Sequence, residues 1–256
     1  MTDALPLTTF SANGPWEENA GFWVQIIREH RDRYRTELTD PAVFSAIGEC
    51  TSLDVLDVGC GEGYLSREVA RRGAAHIEGL DRSAALIAAA GEISTPNARF
   101  SEGDVASLPF GDSSFDLVVA NHLLNDLPDI DQPIREIARV LRPGGRLVAL
   151  TLHPCFYGDR AEQKVVDIGV TDYFTPRAVE QTFQVDGLES PATSVSWVRP
   201  LEAYAGALTA AGLYINGLTE PHPTEAQVSA SSWWRENFPA PLFLLFVAIK
   251  PGGSAY

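Results

Sequence analysis

Short apolar runs alternate with segments of helical periodicity along the chain from residue 53 onward. Strand-like runs such as LDVLDVG, FDLVVAN and GRLVALTL are interleaved with helix-like segments such as AALIAAAGE and PIREIARVL. Continuous apolar runs are typical of strands buried on both faces, and their alternation with helices predicts a parallel sheet covered on both sides. The pattern therefore predicts an α/β fold.

The two segments that flank this pattern have periodicities of their own. Residues 16–36 place Trp23, Ile27, His30 and Tyr34 on one stripe, which predicts a single helix whose histidine packs inward. Residues 153–199 break the alternation, and β-rich runs on both sides of the turn at residues 186–187 predict an inserted hairpin that covers a pocket.

Composition narrows the class of protein. The formal net charge is −15, and no Lys/Arg run exceeds the pair Arg71 and Arg72, so we do not expect a nucleic-acid partner. Three cysteines without CxxC spacing argue against disulfides or a zinc site. No signal peptide is evident, and the run PLFLLFVAI is too short to span a bilayer. We expect one soluble, cytoplasmic domain with no membrane partner, and the sequence leaves its oligomeric state undetermined.

A glycine-rich turn joins the first predicted strand to its helix in the stretch LDVLDVGCGEGYLSREVARRG. Such a turn lets a ligand approach the main chain and the free N–H groups of the helix start. The spacing Gly59, Gly61, Gly63 differs from the G-x-G-x-x-G of dinucleotide sites, which disfavours a nicotinamide oxidoreductase. Asp57 lies just before the turn and Glu62 inside it, and a carboxylate about 4 Å from a phosphate costs about 4 kcal/mol at a dielectric of about 20. The acids therefore favour a ligand with a cationic end and no phosphate.

The segment VLDVGCGEGYLS resembles the first motif of the class I methyltransferases, a Rossmann-like family that uses S-adenosylmethionine. The resemblance covers about residues 53–150. It implies a doubly wound, mainly parallel seven-stranded sheet whose last strand is antiparallel. It also implies that the first motif binds the cofactor through Asp57, Gly59, Cys60, Gly61 and Gly63.

Two more acids end predicted strands in the order that this family shows. The resemblance implies that Asp81 accepts hydrogen bonds from both ribose hydroxyls, although an aspartate there can instead cap the helix that follows Ser83. Arg82 is expected to border the adenine. The resemblance also implies that Asp104 and Val105 read the purine, the alternative being a plain turn aspartate.

The fourth predicted strand ends in VVANHLLNDLPD, at the edge where open α/β sheets bind ligands. We expect Asn121 and His122 to face the methionine moiety and the acceptor. The segment lacks the [DNS]-P-P-[YF] motif of base-modifying methyltransferases and the metal-binding acids of catechol-type enzymes. Asp126 and Asp129 are interpreted as entry into the next helix, and we expect no metal.

A general base helps methyl transfer to an acceptor that is a hydroxyl, a ring N–H or a C–H. His122 is the first candidate, followed by His153 and Tyr157. A histidine at a strand end can instead bond a loop carbonyl, and an unprotonated amine needs no base, so the sequence leaves the acceptor atom open.

Aromatic residues gather in the N-terminal helix, the inserted hairpin and the segment SASSWWRENFP, where this family builds its lid; they are Trp16, Trp23, Tyr34, Tyr157, Trp197, Trp233 and Trp234. Core packing accounts for about half of them. We predict a methyltransferase that modifies O, N or C of a small molecule, such as an aromatic or indole-like secondary metabolite. The alternative is a protein that binds the cofactor without methyl transfer, in regulation or a rearrangement.

The resemblance and the flanking patterns together predict one methyltransferase domain over residues 1–256. Its expected parts are an N-terminal helical lid (1–45), a cofactor-binding core (46–152), an inserted hairpin lid (153–199) and a C-terminal helix with a strand pair (200–256).

Overall fold

A seven-stranded mixed sheet forms the centre of the protein. The computed structural model describes residues 14–157 and 173–252, over which helices and strands are numbered here. The strands of this sheet are β1 (Asp54–Val58), β2 (His76–Asp81), β3 (Ala98–Glu102), β4 (Phe115–Asn121), β5 (Leu141–Leu152), β10 (Tyr214–Thr219) and β11 (Phe243–Ile249). The sheet order is β3-β2-β1-β4-β5-β11-β10, and β11 alone runs antiparallel to the other strands of this sheet. The predicted fold class is therefore confirmed.

Alternate strand residues bury against helices on opposite faces of the sheet. Leu56 and Val118 join one hydrophobic cluster, whereas their neighbours Val55 and Leu117 join the other. The described helices are α1 (Gly14–Glu18), α2 (Ala20–Arg28), α3 (Asp40–Ile47), α4 (Tyr64–Arg71), α5 (Ala84–Gly91), α6 (Asp131–Val140), α7 (Leu201–Ala210), α8 (Glu225–Ala230) and α9 (Ser232–Asn237). None of them is long and apolar enough to cross a membrane.

The prediction of one helix over residues 16–36 is wrong. Helix α2 stops because His30 takes a left-handed φ of 55°, and the amides of His30 and Arg31 bond back to the carbonyls of Ile27 and Ile26. His30 is therefore exposed at a turn and does not pack inward. Residues Arg35–Thr39 then form a π-helical segment that leads directly into α3.

The inserted hairpin is present and contacts the N-terminal helices. Strands β6 (Arg177–Gln181) and β9 (Ser194–Val198) pair antiparallel, and β7 (Gln184–Val185) and β8 (Leu188–Glu189) extend the hairpin to a turn at residues 186–187. The side-chain amide of Asn19 makes two hydrogen bonds with the main chain of Ala192: its Nδ2 donates to the Ala192 carbonyl, and its Oδ1 accepts from the Ala192 N–H. The N-terminal helices and the hairpin thus form one layer, and the predicted part boundaries stay a prediction.

Candidate functional site

The glycine loop runs from the end of β1 to the start of α4. Gly59, Gly61 and Gly63 all have positive φ, of 71°, 55° and 80°. A Cβ on Gly63 would lie 2.8 Å from the Phe100 ring, so that glycine is required by packing. A Cβ on Gly61 would meet no atom within 4 Å, so the main chain there is open to a ligand.

Asp57 lies near the end of β1, directly before the glycine loop, and is bonded to the helix that follows the loop. Its carboxylate accepts a 2.7 Å hydrogen bond from the hydroxyl of Ser66 on α4. Burial raises the pKa of Asp57 to about 7, and the nearby charge of Asp81 adds to this effect. Burial also raises the pKa of the Cys60 thiol well above its usual value. The bond to Ser66 fixes Asp57 against α4, and the predicted roles of Asp57 and Cys60 toward the cofactor stay predictions.

Glu62 is fully buried between two arginines. Its Oε2 lies 3.0 Å from Nε of Arg28 on α2, and its Oε1 lies 2.5 Å from a guanidinium nitrogen of Arg67 on α4. Arg28 also donates a 2.7 Å bond to the carbonyl of Ala89. The charge of Glu62 is therefore balanced by the protein itself, and this carboxylate no longer argues for a ligand with a cationic end.

Asp81 connects the glycine loop to the next helix. Its Oδ2 accepts from the Gly61 N–H at 2.8 Å and its Oδ1 from the Ser83 N–H at 2.9 Å. Burial raises the pKa of this carboxyl. Ser83 itself caps α5 by accepting from the Leu86 N–H. The capping role belongs to Ser83, and the ribose role of Asp81 stays a prediction.

Glu17, which the sequence did not single out, contacts this same region from α1. Its carboxylate accepts from the Ser83 hydroxyl at 2.5 Å and from the Ala85 N–H at 3.2 Å. Negative charge at the first turn of α5 is favourable. No local signal identifies it, because it lies 66 residues before its partner.

The remaining predicted adenosine residues lie beyond the ends of β2 and β3. Arg82 and Asp104 are exposed and Val105 is buried. The Asp104 carboxylate accepts from the Ala106 N–H at 2.9 Å, as in a plain turn, which leaves its other oxygen available. Their roles toward a purine stay predictions.

The end of β4 carries a polar cluster that the sequence revealed only in part. The Asn121 amide donates to the hydroxyl of Tyr64 at 2.7 Å, and that hydroxyl donates to Asp40 at 3.0 Å. The guanidinium of Arg35 lies over the Tyr64 ring, 4.8 Å from its centroid. Arg35, Tyr64 and Asp40 carry no motif, so sequence reasoning missed them.

His122 joins this cluster with strained backbone geometry. Its φ is 60°, and its N–H donates to the Leu150 carbonyl. The ring lies 5.6 Å from that of Phe243. Burial, together with the charge of Arg35, lowers the pKa of His122 to about 3, so the ring is neutral and weakly basic.

The two other predicted bases are engaged in hydrogen bonds. His153 Nε2 lies 2.7 Å from the Glu220 carboxylate and its Nδ1 accepts from the Cys155 N–H, which occupies both ring nitrogens. Burial lowers the pKa of His153. The Tyr157 hydroxyl bonds the amide of Gln181 at 3.0–3.1 Å. A catalytic role for either residue would require these bonds to break, and it stays a prediction.

The interpretation of Asp126 as helix entry is wrong. Helix α6 begins at Asp131, where Asp129 accepts the Asp131 N–H, whereas Asp126 lies in the loop before it. The Asn125 amide donates to Asp126 at 2.7 Å, and burial raises the pKa of this carboxyl well above its usual value. Over residues 14–157 and 173–252, no three His, Cys, Asp or Glu side chains are grouped as metal ligands.

Comparisons with known proteins agree with this geometry. A family model described as "Methyltransferase domain" matches residues 56–149. The trans-aconitate 2-methyltransferase of Deinococcus radiodurans is 43% identical over 94 residues, which are 36% of this chain and 35% of that protein. A crystal structure of an S-adenosylmethionine-dependent methyltransferase from Mesorhizobium loti is 26% identical with a TM-score of 0.65, covering 82% of this chain and 96% of that one.

The crystal structure of the [4+2]-cyclase SpnF has the same fold, with a TM-score of 0.60 at 19% identity over 91% of this chain and 95% of that one. The chain spans less than half the length of the first curated relatives that it matches. Residues 56–149 match the methyltransferase domain model, and the chain shares the fold of a solved S-adenosylmethionine-dependent methyltransferase, which confirms the resemblance stated from the first motif. S-adenosylmethionine is the cofactor of this class, and the open main chain at Gly61 beside Asp81 fits it.

Proposed function

We propose that this protein transfers a methyl group from S-adenosylmethionine to a small organic molecule. The proposal depends chiefly on Gly61, whose N–H is bonded to Asp81 while the space at its Cα is open. This arrangement supports a nucleoside bound across the ends of β1 and β2, the edge where open α/β sheets bind ligands. The methyltransferase domain over residues 56–149 supports the same function.

The bonds of Asp81 suit it to hold a ribose. Each carboxylate oxygen already accepts one main-chain N–H, and these bonds fix the orientation of the group. Each oxygen keeps lone-pair capacity for one hydroxyl of a vicinal diol. We infer that Asp81 holds the ribose, while Asp104 and Val105 bind the purine and Asn121 faces the methionine end.

The bound cofactor supplies an electrophilic methyl group on a sulfonium, so the protein mainly aligns the reactants and excludes water. Alignment can contribute about 7–11 kcal/mol. A free carboxylate against the sulfonium would stabilise the reactant more than the transition state. Asp57 is bonded to Ser66 and Glu62 to two arginines, so neither acid presents an unpartnered charge.

The pKa of the first candidate base, His122, helps to indicate which type of acceptor the protein methylates. A general base is most effective with a pKa near the working pH, and His122, with a pKa of about 3, lies well below it. This favours an acceptor with a free lone pair, such as an unprotonated amine, over one that must lose a proton first. If His122 nevertheless acts as the base, His122→Ala should lower kcat by about 10²–10⁴-fold at saturating acceptor. A normal kcat would dismiss that role.

An aromatic or largely apolar acceptor, such as an indole-like secondary metabolite, is part of the proposal. Half-buried aromatic side chains support it, Tyr157 and Trp197 on the hairpin side and Trp233 on α9. Trp23 and Trp234 are core residues and do not contribute. A cytoplasmic location also remains proposed, supported by the free thiols of Cys50 and Cys60.

Two measurements test the function. Calorimetry should show binding of S-adenosylhomocysteine to the purified protein, and an absence of binding would refute the proposal. Mass spectrometry should then find one added methyl group on an acceptor from a panel of amines, phenols and indoles. Binding without any methylated product would favour the alternative, a cofactor-binding protein that acts in regulation or a rearrangement.

A further inference from the structure

Asp126, in the loop after β4, is a half-buried carboxylate with one oxygen unused. Its Oδ1 accepts from the Asn125 amide at 2.7 Å, whereas its Oδ2 has no hydrogen-bond partner among the described residues. No described Lys, Arg or His forms an ion pair with it. Removing a carboxylate from water without a cation is costly, so this group suits a ligand that brings positive charge.

The other acids near the same edge of the sheet differ from Asp126. Each of five is already engaged by a side chain of the protein or by a main-chain N–H; they are Asp40, Asp57, Glu62, Asp81 and Glu220. Asp104 has a free oxygen but is exposed to solvent. Asp126 therefore combines partial burial with an oxygen that is free to bind a ligand.

The turn that carries Asp126 lies between the glycine loop and the inserted hairpin. The Asp126 N–H donates to the Leu123 carbonyl at 2.9 Å, and Leu123 packs against the loop, 3.0 Å from a Cβ built on Gly59. From the hairpin, the N–H of Trp197 on β9 donates to the Asn125 carbonyl at 2.6 Å. The carboxylate is thus held where the cofactor-binding edge meets a half-buried aromatic side chain.

Arg199, which follows β9, fixes the same turn without neutralising its acid. One guanidinium nitrogen donates to the Leu124 carbonyl at 2.8 Å, and another donates to the carbonyls of Leu127 and Pro128. Arg199 is buried, and these bonds direct its donors to the main chain. The turn is therefore fixed in place while the charge of Asp126 stays available.

We propose that Asp126 binds the ammonium group of a basic amine acceptor and takes its proton before methyl transfer. The inference rests on the proposed function and names the acceptor class for it. A proton moves from the ammonium to Oδ2 of Asp126, which leaves a lone pair on nitrogen. That pair forms the new C–N bond as the methyl–sulfur bond of the cofactor breaks, and the positive charge passes from sulfur to the methylated nitrogen. The proton on Asp126 then returns to solvent.

Three properties of the chain agree with this role. Burial, together with the charge of Asp81, raises the pKa of Asp126, and a carboxylate of raised pKa accepts a proton more readily. His122 is too weakly basic for the task, and both ring nitrogens of His153 are already bonded. The net charge of −15 attracts cations to the protein and so favours the approach of an ammonium.

The test uses pairs of probes that differ only in an ammonium or a hydroxyl. They are tryptamine and tryptophol, 2-phenylethylamine and 2-phenylethanol, and octylamine and octanol, titrated by calorimetry into the full chain saturated with S-adenosylhomocysteine. The wild type should bind at least one amine about 10- to 100-fold more tightly than its alcohol. Asp126→Asn keeps the size of the side chain and an acceptor for Asn125 but removes the charge, so this preference should disappear.

Asp129→Asn is the matched control. Asp129 lies in the same loop, is exposed and accepts the Asp131 N–H at the start of α6, which an asparagine can also do. This variant removes the same charge from the loop and should keep the preference for the amine. Both variants should bind S-adenosylhomocysteine as the wild type does, which also shows that they are folded.

The outcomes separate the inference from the function beneath it. If the loaded wild type prefers no amine over its alcohol, or if Asp126→Asn keeps the preference, the inference is wrong while the proposed function stands. Weaker S-adenosylhomocysteine binding in Asp126→Asn would assign the residue to the cofactor and would also overturn the inference. Should the wild type not bind S-adenosylhomocysteine at all, the proposed function fails and the inference with it. A preference lost in Asp126→Asn alone supports both.

Discussion

The open main chain at Gly61 can be tested by adding one methyl group. Gly61→Ala keeps the N–H that bonds Asp81, and it places a Cβ where no atom lies within 4 Å. Alanine at a φ of 55° costs about 1–2 kcal/mol, so Tm should fall by about 2–8 °C. Forcing a methyl group into an otherwise filled contact costs about 1–3 kcal/mol, which corresponds to about 5- to 150-fold weaker cofactor binding.

Gly144→Ala separates backbone strain from the effect on the ligand. Gly144 has a φ of 84°, its added Cβ would also meet nothing within 4 Å, and it lies in the irregular first part of β5, where the register with β4 shifts. Scanning calorimetry should give similar Tm losses for the two variants, and titration with S-adenosylhomocysteine should show weaker binding for Gly61→Ala alone. Wild-type affinity in Gly61→Ala would refute the assignment of the cofactor to this loop.

Three further variants test the acids around the loop. Asp81→Ala should weaken S-adenosylhomocysteine binding about 10- to 100-fold in calorimetry, and an unchanged Kd would remove the ribose role. Glu62→Gln removes the buried carboxylate from Arg28, which keeps its ion pair with Glu92, and from Arg67, so urea denaturation should show about 1–3 kcal/mol less stability; an unchanged midpoint would contradict this. Burial raises the pKa of Asp57 to about 7, above the value near 3.8 of the unfolded chain, so its contribution favours folding at low pH and is lost as the pH rises through about 7. The Tm of Asp57→Asn should therefore rise relative to wild type between about pH 5 and pH 8, and parallel profiles would show that Asp57 does not titrate there.

Local patterns were enough for the sheet and the glycine loop. The run LDVLDVG and its successors are strands because continuous apolar residues require burial on both faces, and this requirement is encoded within a few residues. The glycines at 59, 61 and 63 are likewise a local signal, because glycine is the residue that most readily takes the positive φ found at these positions. The prediction for residues 16–36 failed because a stripe of apolar positions does not reveal that His30 ends the helix.

The chain alone therefore determined the fold class, the turn to which we assign the cofactor and the order of the acids along it. Only the tertiary structure decided how the charges are balanced, because Glu62 meets Arg28 across 34 residues of sequence and its compensation has no local signal. The same applies to Arg35, Tyr64 and Asn121, which meet only after β4 pairs with β1. Hydrogen bonds and ion pairs act over a few ångströms in space, so their partners become visible only once the chain has folded.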